Sequence, residues 1–128
     1  EKYKTKFYEM QKLPVAHIYD IHLDDSSSFI VKEYIFGFSY AEFFENKKMF
    51  NSNIYNNIQF KLNLAIQDFK NIEEKFLPWL TKFEIDPAQS LSGTILEGAQ
   101  NNILNKGDIQ ANNFVFDVVR DEWILIDP

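Results

Sequence analysis

The sequence contains no cysteine and a single arginine, Arg120. Without cysteine, the chain can form neither a disulfide framework nor a thiolate metal site. Acidic residues outnumber basic ones by 19 to 13, which gives a formal net charge of -6. A nucleic-acid-binding face needs clustered Lys and Arg to displace counterions from the phosphate backbone. These shortages argue against a nucleic-acid partner.

Long hydrophobic runs are also missing. No stretch approaches the roughly 18 to 20 apolar residues that a membrane span requires, and the N-terminus lacks the apolar core of a signal peptide. We therefore expect no membrane span. The compartment stays open, and the absence of cysteine favours the cytoplasm. The first residue is Glu1 rather than an initiator Met, from which we expect a processed product or an excised piece of a longer protein.

Apolar material is nevertheless plentiful. Hydrophobic residues make up 45% of the 128 residues and aromatic residues 16%, with 13 phenylalanines. A chain of this size forms one domain or part of one, and this composition excludes disorder as an overall description.

The N-terminal third predicts a helix followed by a hairpin. Apolar residues recur at helical spacing over residues 3–13, and Pro14 stops the run. Alternating segments at 15–23 and 29–36 flank the turn sequence DDSSS, which is typical of two antiparallel strands. Gly37 is expected to end the second strand, and Ser39 to cap a short helix through residue 44.

The rest of the chain predicts helices and a second hairpin. Apolar residues at steps of three and four indicate a long amphipathic helix. We expect Ser52 or Asn53 to cap its start and Pro78 to break or kink it. A further helix is expected over residues 87–105, and the segments NFVFD and WILID around the turn VVRDE predict the hairpin. The fold class is therefore α+β. The apolar face of the long helix comprises Ile54, Ile58, Leu62, Ala65, Phe69, Ile72 and Phe76.

Three polar residues near the C-terminus suggest a site. Gly107 permits a sharp turn that leaves Asp108 in a loop, where catalytic groups are often held on a rigid scaffold. The predicted hairpin would bring Asn113 and Asp127 to neighbouring strand ends. Two oxygen ligands beside a third carboxylate suit Mg²⁺, which takes one or two carboxylates together with substrate phosphates.

This order of Gly-Asp, four residues, Asn, a strand, a turn, a strand and Asp resembles the catalytic segment of the protein-kinase-like fold. The likeness is strongest to the aminoglycoside phosphotransferase and small-molecule kinase branch, in which the closing Asp-Pro of LIDP is a common variant. The resemblance implies that Asp108 is the catalytic base, and that Asn113 and Asp127 hold Mg²⁺ on the phosphates of ATP.

Other segments follow the same order. The sequence SFIVKEYIFGFSYAEFF resembles the strand, hinge and helix that join the two kinase lobes, and KLPVAHIYDI resembles the end of the regulatory helix and the next strand. The resemblance assigns residues 1–36 to the end of the N-lobe and residues 37–128 to a partial helical C-lobe. The implied ATP-binding residues are Glu33, Tyr34 and Ile35 at the hinge, with Val115 and Ile126 below the adenine.

The sequence departs from the family pattern in three places. Lys106 stands where a histidine usually precedes the catalytic Asp, and Lys32 stands where the family has an apolar gatekeeper. No Gly-rich phosphate loop and no strand lysine precede Glu1. The chain would then be the middle of a kinase domain and inactive by itself, with the missing lobe segments or a protein partner completing it.

Three functions remain open at this point. The resemblance implies an ATP-dependent phosphotransferase that acts on a hydroxyl of a small molecule, a sugar or a glycan. A degenerate, non-catalytic kinase-like module could instead bind a protein through its Phe-rich helices, and a plain helical interaction domain could mimic the motif by chance. The kinase interpretation fails if Asp108, Asn113 and Asp127 do not converge on one cleft beside the Glu33–Ile35 hinge.

Overall fold

The computed structural model describes residues 2–82 and 109–128, with side chains described for residues 4–76 and 109–128. Within these ranges the chain is an α+β structure of three helices, two small antiparallel sheets and two short 3-10 turns at Lys47–Met49 and Ala111–Asn113. The elements, in chain order, are α1 Lys2–Met10, β1 Ile18–Leu23, β2 Ser28–Lys32, β3 Gly37–Ser39, α2 Tyr40–Glu45, α3 Ser52–Lys82, β4 Phe114–Asp117 and β5 Glu122–Leu125.

The first predicted hairpin is present as β1 and β2, which pair with Ile21 opposite Ile30. Its turn is closed by Asp24, whose Oδ1 accepts hydrogen bonds at 2.7 Å from the amides of Ser26 and Ser27. The pKa of the Asp24 carboxyl lies below its usual value. The largest cause is its hydrogen bond with the His22 ring, and the bonds from the two amides and from the Ser26 hydroxyl lower the pKa further. The second strand is shorter than predicted, because residues 33–36 leave the sheet as an extended link.

Gly37 begins a strand rather than ending one, so the prediction made for it was wrong. Strand β3 pairs with β4, with Gly37 opposite Asp117, and β4 pairs with β5 to form the second predicted hairpin. Ser39 caps α2 as predicted, and its hydroxyl and the Glu42 side chain form a reciprocal capping box. The pairing of β3 fixes the extended link 33–36 between the two sheets.

The segment before β1 joins the second sheet from the other side. The amide of Ala16 donates to the carbonyl of Leu125, and the amide of Leu125 donates to the carbonyl of Pro14, both at 2.9 Å. Because this segment continues directly into β1, the bridge fixes the first hairpin against β5. Both sheets are therefore tied together on either side of the link 33–36.

Helix α3 covers the three-stranded sheet. The Trp123 indole is buried in an aromatic cluster with Phe38, Phe43 and Phe116 and donates to the carbonyl of Ile58 at 2.9 Å. The core also contains Ile58, Leu62 and Phe69 from the predicted apolar face. The apolar residues Phe43, Phe44 and Phe50 predict a core cluster; Phe43 and Phe50 belong to this packing, whereas Phe44 is exposed.

The ends of α3 differ from prediction. Asn51 precedes the helix, and its side chain accepts from the amide of Asn53, so neither Ser52 nor Asn53 is the cap. At the first turn Tyr55 is buried in place of Ile54. The helix passes through Pro78 without ending, and the helix predicted at 87–105 lies outside the described residues. No helix in the two described ranges has the length and apolar character needed to cross a bilayer.

The charged residues Lys70, Glu73, Glu74 and Lys75 predict an exposed charged face near the end of α3, and for Glu73 this prediction was wrong. Its side chain is buried, and its Oε1 accepts a hydrogen bond of 2.8 Å from the hydroxyl of Tyr8 on α1. A buried carboxylate persists when it has hydrogen-bond donors. The pair therefore links α1 to the C-terminal third of α3.

Removing that hydroxyl tests the link. Tyr8→Phe is expected to lower the free energy of unfolding by about 1–3 kcal/mol, because a buried acceptor loses a donor. Urea unfolding measures the change. The matched control is Tyr19→Phe at an exposed ring, which should leave the midpoint nearly unchanged. Equal midpoints for the two variants would contradict the role given to the Tyr8–Glu73 pair.

Candidate functional site

A cleft of about 270 Å³ opens between the extended link and the β4–β5 hairpin. Its volume lies just below the range of about 300–1,000 Å³ that is typical of pockets enclosing a drug-sized ligand. All five residues that the resemblance implied for ATP line it, although they come from segments 80 residues apart in sequence. The lining consists of Ala16, Lys32, Glu33, Tyr34, Ile35, Val115, Ile126 and Asp127.

The backbone of the link carries unpaired hydrogen-bonding groups. The amide of Glu33 donates to the carbonyl of His17 at 2.7 Å, and the carbonyl of Phe36 accepts from the amide of Val118 at 3.0 Å. Between these anchors, the carbonyl of Glu33 and both backbone groups of Ile35 bond to nothing within the described residues. A short backbone segment fixed at both ends can therefore offer one donor and two acceptors to a ligand.

The carboxylate of Glu33 belongs to a polar network with Arg120 and Asp117. It forms an ion pair with the guanidinium of Arg120 and accepts from the amide of His17 at 3.1 Å. Arg120 also contacts Asp117, which is buried and accepts from the amides of Val119 and Arg120. The network ties the link to the β4–β5 turn.

Sequence reasoning missed Arg120 and Asp117 as supports of the site. The only signal was that Arg120 is the single arginine of the chain, and that fact alone assigns no partner. A fork-shaped guanidinium suits several acceptors at once, which explains why a lysine would serve less well here. The partner, Glu33, lies 87 residues earlier, so local pattern gives no indication of the contact.

Asn113 directly precedes β4, and Asp127 follows β5 by one residue, at the same end of the hairpin. The amide of Ile126 donates to the carbonyl of Asn113 at 2.8 Å, directly beyond the last strand pair, Phe114 with Leu125. The carboxylate of Asp127 is 64% exposed at the mouth of the cleft. The third member of the motif, Asp108, lies outside the described residues.

Lys32 reaches the same end of the cleft from β2. Its Nζ lies 3.0 Å from the carbonyl oxygen of Ile126 and 3.3 Å from Oδ1 of Asp127. The side chain is only 28% exposed, so its aliphatic stem is largely covered while its ammonium group meets two oxygen acceptors. The residue that departs from the family pattern thus contacts the predicted metal ligand.

The kinase resemblance implies a magnesium ion at this end of the cleft, bound together with phosphates. No group of three His, Cys, Asp or Glu side chains suited to a metal occurs in residues 2–82 and 109–128. Mg²⁺ bound through substrate phosphates needs only one or two protein oxygens and keeps several waters. The resemblance assigns the ion to Asp127, which lines the cleft, and to Asn113, which is not among the lining residues. The two histidines lie elsewhere, each paired with an acidic neighbour, His17 with Glu9 and His22 with Asp24.

A scan against models of protein families and searches of curated proteins and solved structures found no match to this chain. The likeness to kinases therefore rests on the chain's own residues.

Proposed function

We propose that the cleft is the nucleotide site of an ATP-dependent phosphotransferase whose acceptor is a hydroxyl of a small molecule or glycan. The supporting observation is that the link 33–35, Val115, Ile126 and Asp127 border one cleft. The order of motifs in the sequence implies these same residues without reference to any tertiary contact. A helical interaction domain that mimicked the motif by chance would not need to bring them together.

The cleft supplies the features that an adenine requires. Ala16, Val115 and Ile126 provide apolar surface for the faces of a planar base, and burial of that surface favours binding. The backbone groups of Glu33 and Ile35, which bond to no residue that the structure describes, suit the donor and acceptor pattern at the edge of the base. The base would then lie against the link, with the phosphates directed toward Asp127.

The phosphate end provides the polar groups. When bound, Mg²⁺ neutralises charge on the phosphates during transfer; Asp127 and Asn113 would hold it. Asp108 would orient the acceptor hydroxyl and take its proton, as the resemblance implies. Most of the rate enhancement in such reactions comes from positioning and electrostatics, so the tie between the link and the hairpin matters for catalysis.

Filling the cleft tests the nucleotide site. Val115→Phe places a larger side chain on the cleft wall and is expected to weaken ATP binding by about tenfold or more, because the ring takes the volume of the base. Isothermal titration of the 128-residue chain with ATP and MgCl₂ measures the change, and thermal unfolding checks that the variant is folded.

The matched control is Val119→Phe in the β4–β5 turn, where the side chain is 78% exposed and outside the cleft. This variant should bind ATP as the wild type does. If Val115→Phe and the wild type bind ATP with equal affinity, the nucleotide lies elsewhere and the proposal is wrong.

A second candidate is a non-catalytic module that binds another protein. It is favoured by a set of exposed apolar side chains on and between α2 and α3, formed by Phe44, Met49 and Phe60. Exposed apolar groups of this kind often mark interaction surfaces. Absence of ATP binding in the titration above would favour this candidate over the phosphotransferase.

A further inference from the structure

We propose that Lys32 is the phosphate-recognising cation of this cleft, held in place by the carbonyl of Ile126 and the carboxylate of Asp127. The inference deepens the proposed function and rests on it, since it assigns the end of the cleft at which the phosphates of a nucleotide would lie. It adds a role that the kinase resemblance does not give to this position.

Charge at the cleft mouth supports the assignment. Among the eight residues that line the cleft, the cationic one is Lys32, while Glu33 and Asp127 are anionic. The charge of Glu33 is compensated by Arg120, which leaves Asp127 as the anion that faces an incoming phosphate. On a chain of net charge -6, the ammonium of Lys32 offsets that repulsion where it would be greatest.

The backbone around Lys32 and around its two acceptors is held by hydrogen bonds. Lys32 ends β2, and the next residue is anchored by the hydrogen bond from its amide to the carbonyl of His17. The two acceptors of Lys32, on Ile126 and Asp127, follow β5 directly. Lys32 thus lies at the end of one paired strand and its acceptors lie directly after another, so the backbone on both sides of the contact is held by hydrogen bonds.

The position of Lys32 also assigns the base and the phosphates of a nucleotide to different parts of the cleft. The backbone groups of Glu33 and Ile35 that bond to no described residue begin one residue beyond Lys32 along the link, whereas the Lys32 Nζ lies 3.3 Å from Oδ1 of Asp127. A base against the link and phosphates against Lys32 would therefore occupy opposite ends of one cleft. Substitution of Lys32 should then affect phosphates and spare the base.

The experiment compares three probes, ATP, adenosine and inorganic tripolyphosphate, by isothermal titration with MgCl₂ and again with EDTA. Lys32→Met is expected to weaken ATP and tripolyphosphate binding by about tenfold or more, as for the loss of one charge-assisted hydrogen bond. Adenosine binding should stay within about twofold. The loss should persist in EDTA, because the protein charge does not depend on the metal.

Two further variants complete the design. Lys48→Met makes the same change at an exposed lysine outside the cleft and should bind all three probes as the wild type does. Lys32→Arg keeps the positive charge and should retain most of the preference for ATP over adenosine. Thermal unfolding confirms that each variant is folded, and the small cost of losing a partly exposed ion pair makes this the expected result.

The possible outcomes distinguish this inference from the function on which it rests. If Lys32→Met keeps the wild-type preference for ATP over adenosine while Val115→Phe abolishes ATP binding, Lys32 is not the phosphate cation although the nucleotide site stands. If tripolyphosphate binds in a Lys32-dependent manner and adenosine does not bind, the phosphate site stands and the adenine site fails. If the wild type binds none of the probes, both proposals are wrong.

Discussion

Replacing Gly37 with alanine is expected to lower the free energy of unfolding by about 3 kcal/mol or more. A Cβ built on Gly37 overlaps the carbonyl oxygen of Phe116 and lies 2.7 Å from its carbonyl carbon. Both atoms belong to the backbone of β4, so no side chain can rotate away to relieve the overlap. The reason for glycine here is close approach of two strands, since its φ angle is not positive. Urea unfolding measures the loss.

The same variant should also weaken ATP binding in the fraction that remains folded. Residues 33–36 run directly into Gly37, so moving β3 away from β4 displaces the link that borders the cleft. Phe36→Ala is the local control, because this neighbouring side chain is 64% exposed and its carbonyl keeps its bond to Val118. If Gly37→Ala unfolds at the wild-type urea concentration, β3 and β4 do not approach as described.

The spacing of apolar residues correctly predicted the long helix and the two hairpins. The 3-4 spacing in α3 correctly placed Ile58, Leu62 and Phe69 in the core, because a helix that packs on one side must bury one stripe. Both hairpins were predicted from apolar strands around polar turns, and their existence is confirmed. Helices and hairpins form between residues that are close in sequence, so the local order of residue types indicates where they occur.

The failures share a physical cause, which is a partner far away in the sequence. Glu73 is buried because Tyr8, 65 residues earlier, donates to it. Gly37 starts a strand because β4, nearly 80 residues later, offers a free edge. The Arg120–Glu33 pair spans 87 residues. A single sequence carries no signal for contacts of this kind, so pattern reasoning placed Glu73 on the surface and ended the strand at Gly37.

The candidate site was predicted by a different route. The spacing of residues does not predict that Val115 or Ile126 binds a ligand. That prediction follows from the order of motifs, which resembles the order in small-molecule kinases. The cleft nevertheless contains both residues with the link 33–35. Lys32 was noted only as a departure from the family pattern, and its contact with Asp127 could not be foreseen, because the contact depends on how β2 lies against the end of β5.

Phosphoryl transfer by the whole protein is expected to fall by about 10²–10⁴-fold in kcat when Asp108 is replaced by asparagine. The amide has nearly the shape of the carboxylate but cannot take a proton from an acceptor hydroxyl. The KM for ATP should change little, because the nucleotide contacts are assigned to the link and to Asp127. Transfer of the γ-phosphoryl group from ATP to a panel of aminoglycosides and hexoses provides the measurement.

Asp121→Asn supplies the same chemical change at a site that should not matter. Its carboxylate is 70% exposed and pairs with Lys61, and its φ of 58° is one that asparagine tolerates well. The control should keep the wild-type rate. Equal kcat in Asp108→Asn and the wild type would remove Asp108 as the base. ATP binding that depends on Val115 without transfer to any acceptor would instead favour a kinase-like module that has kept its nucleotide cleft and lost its chemistry.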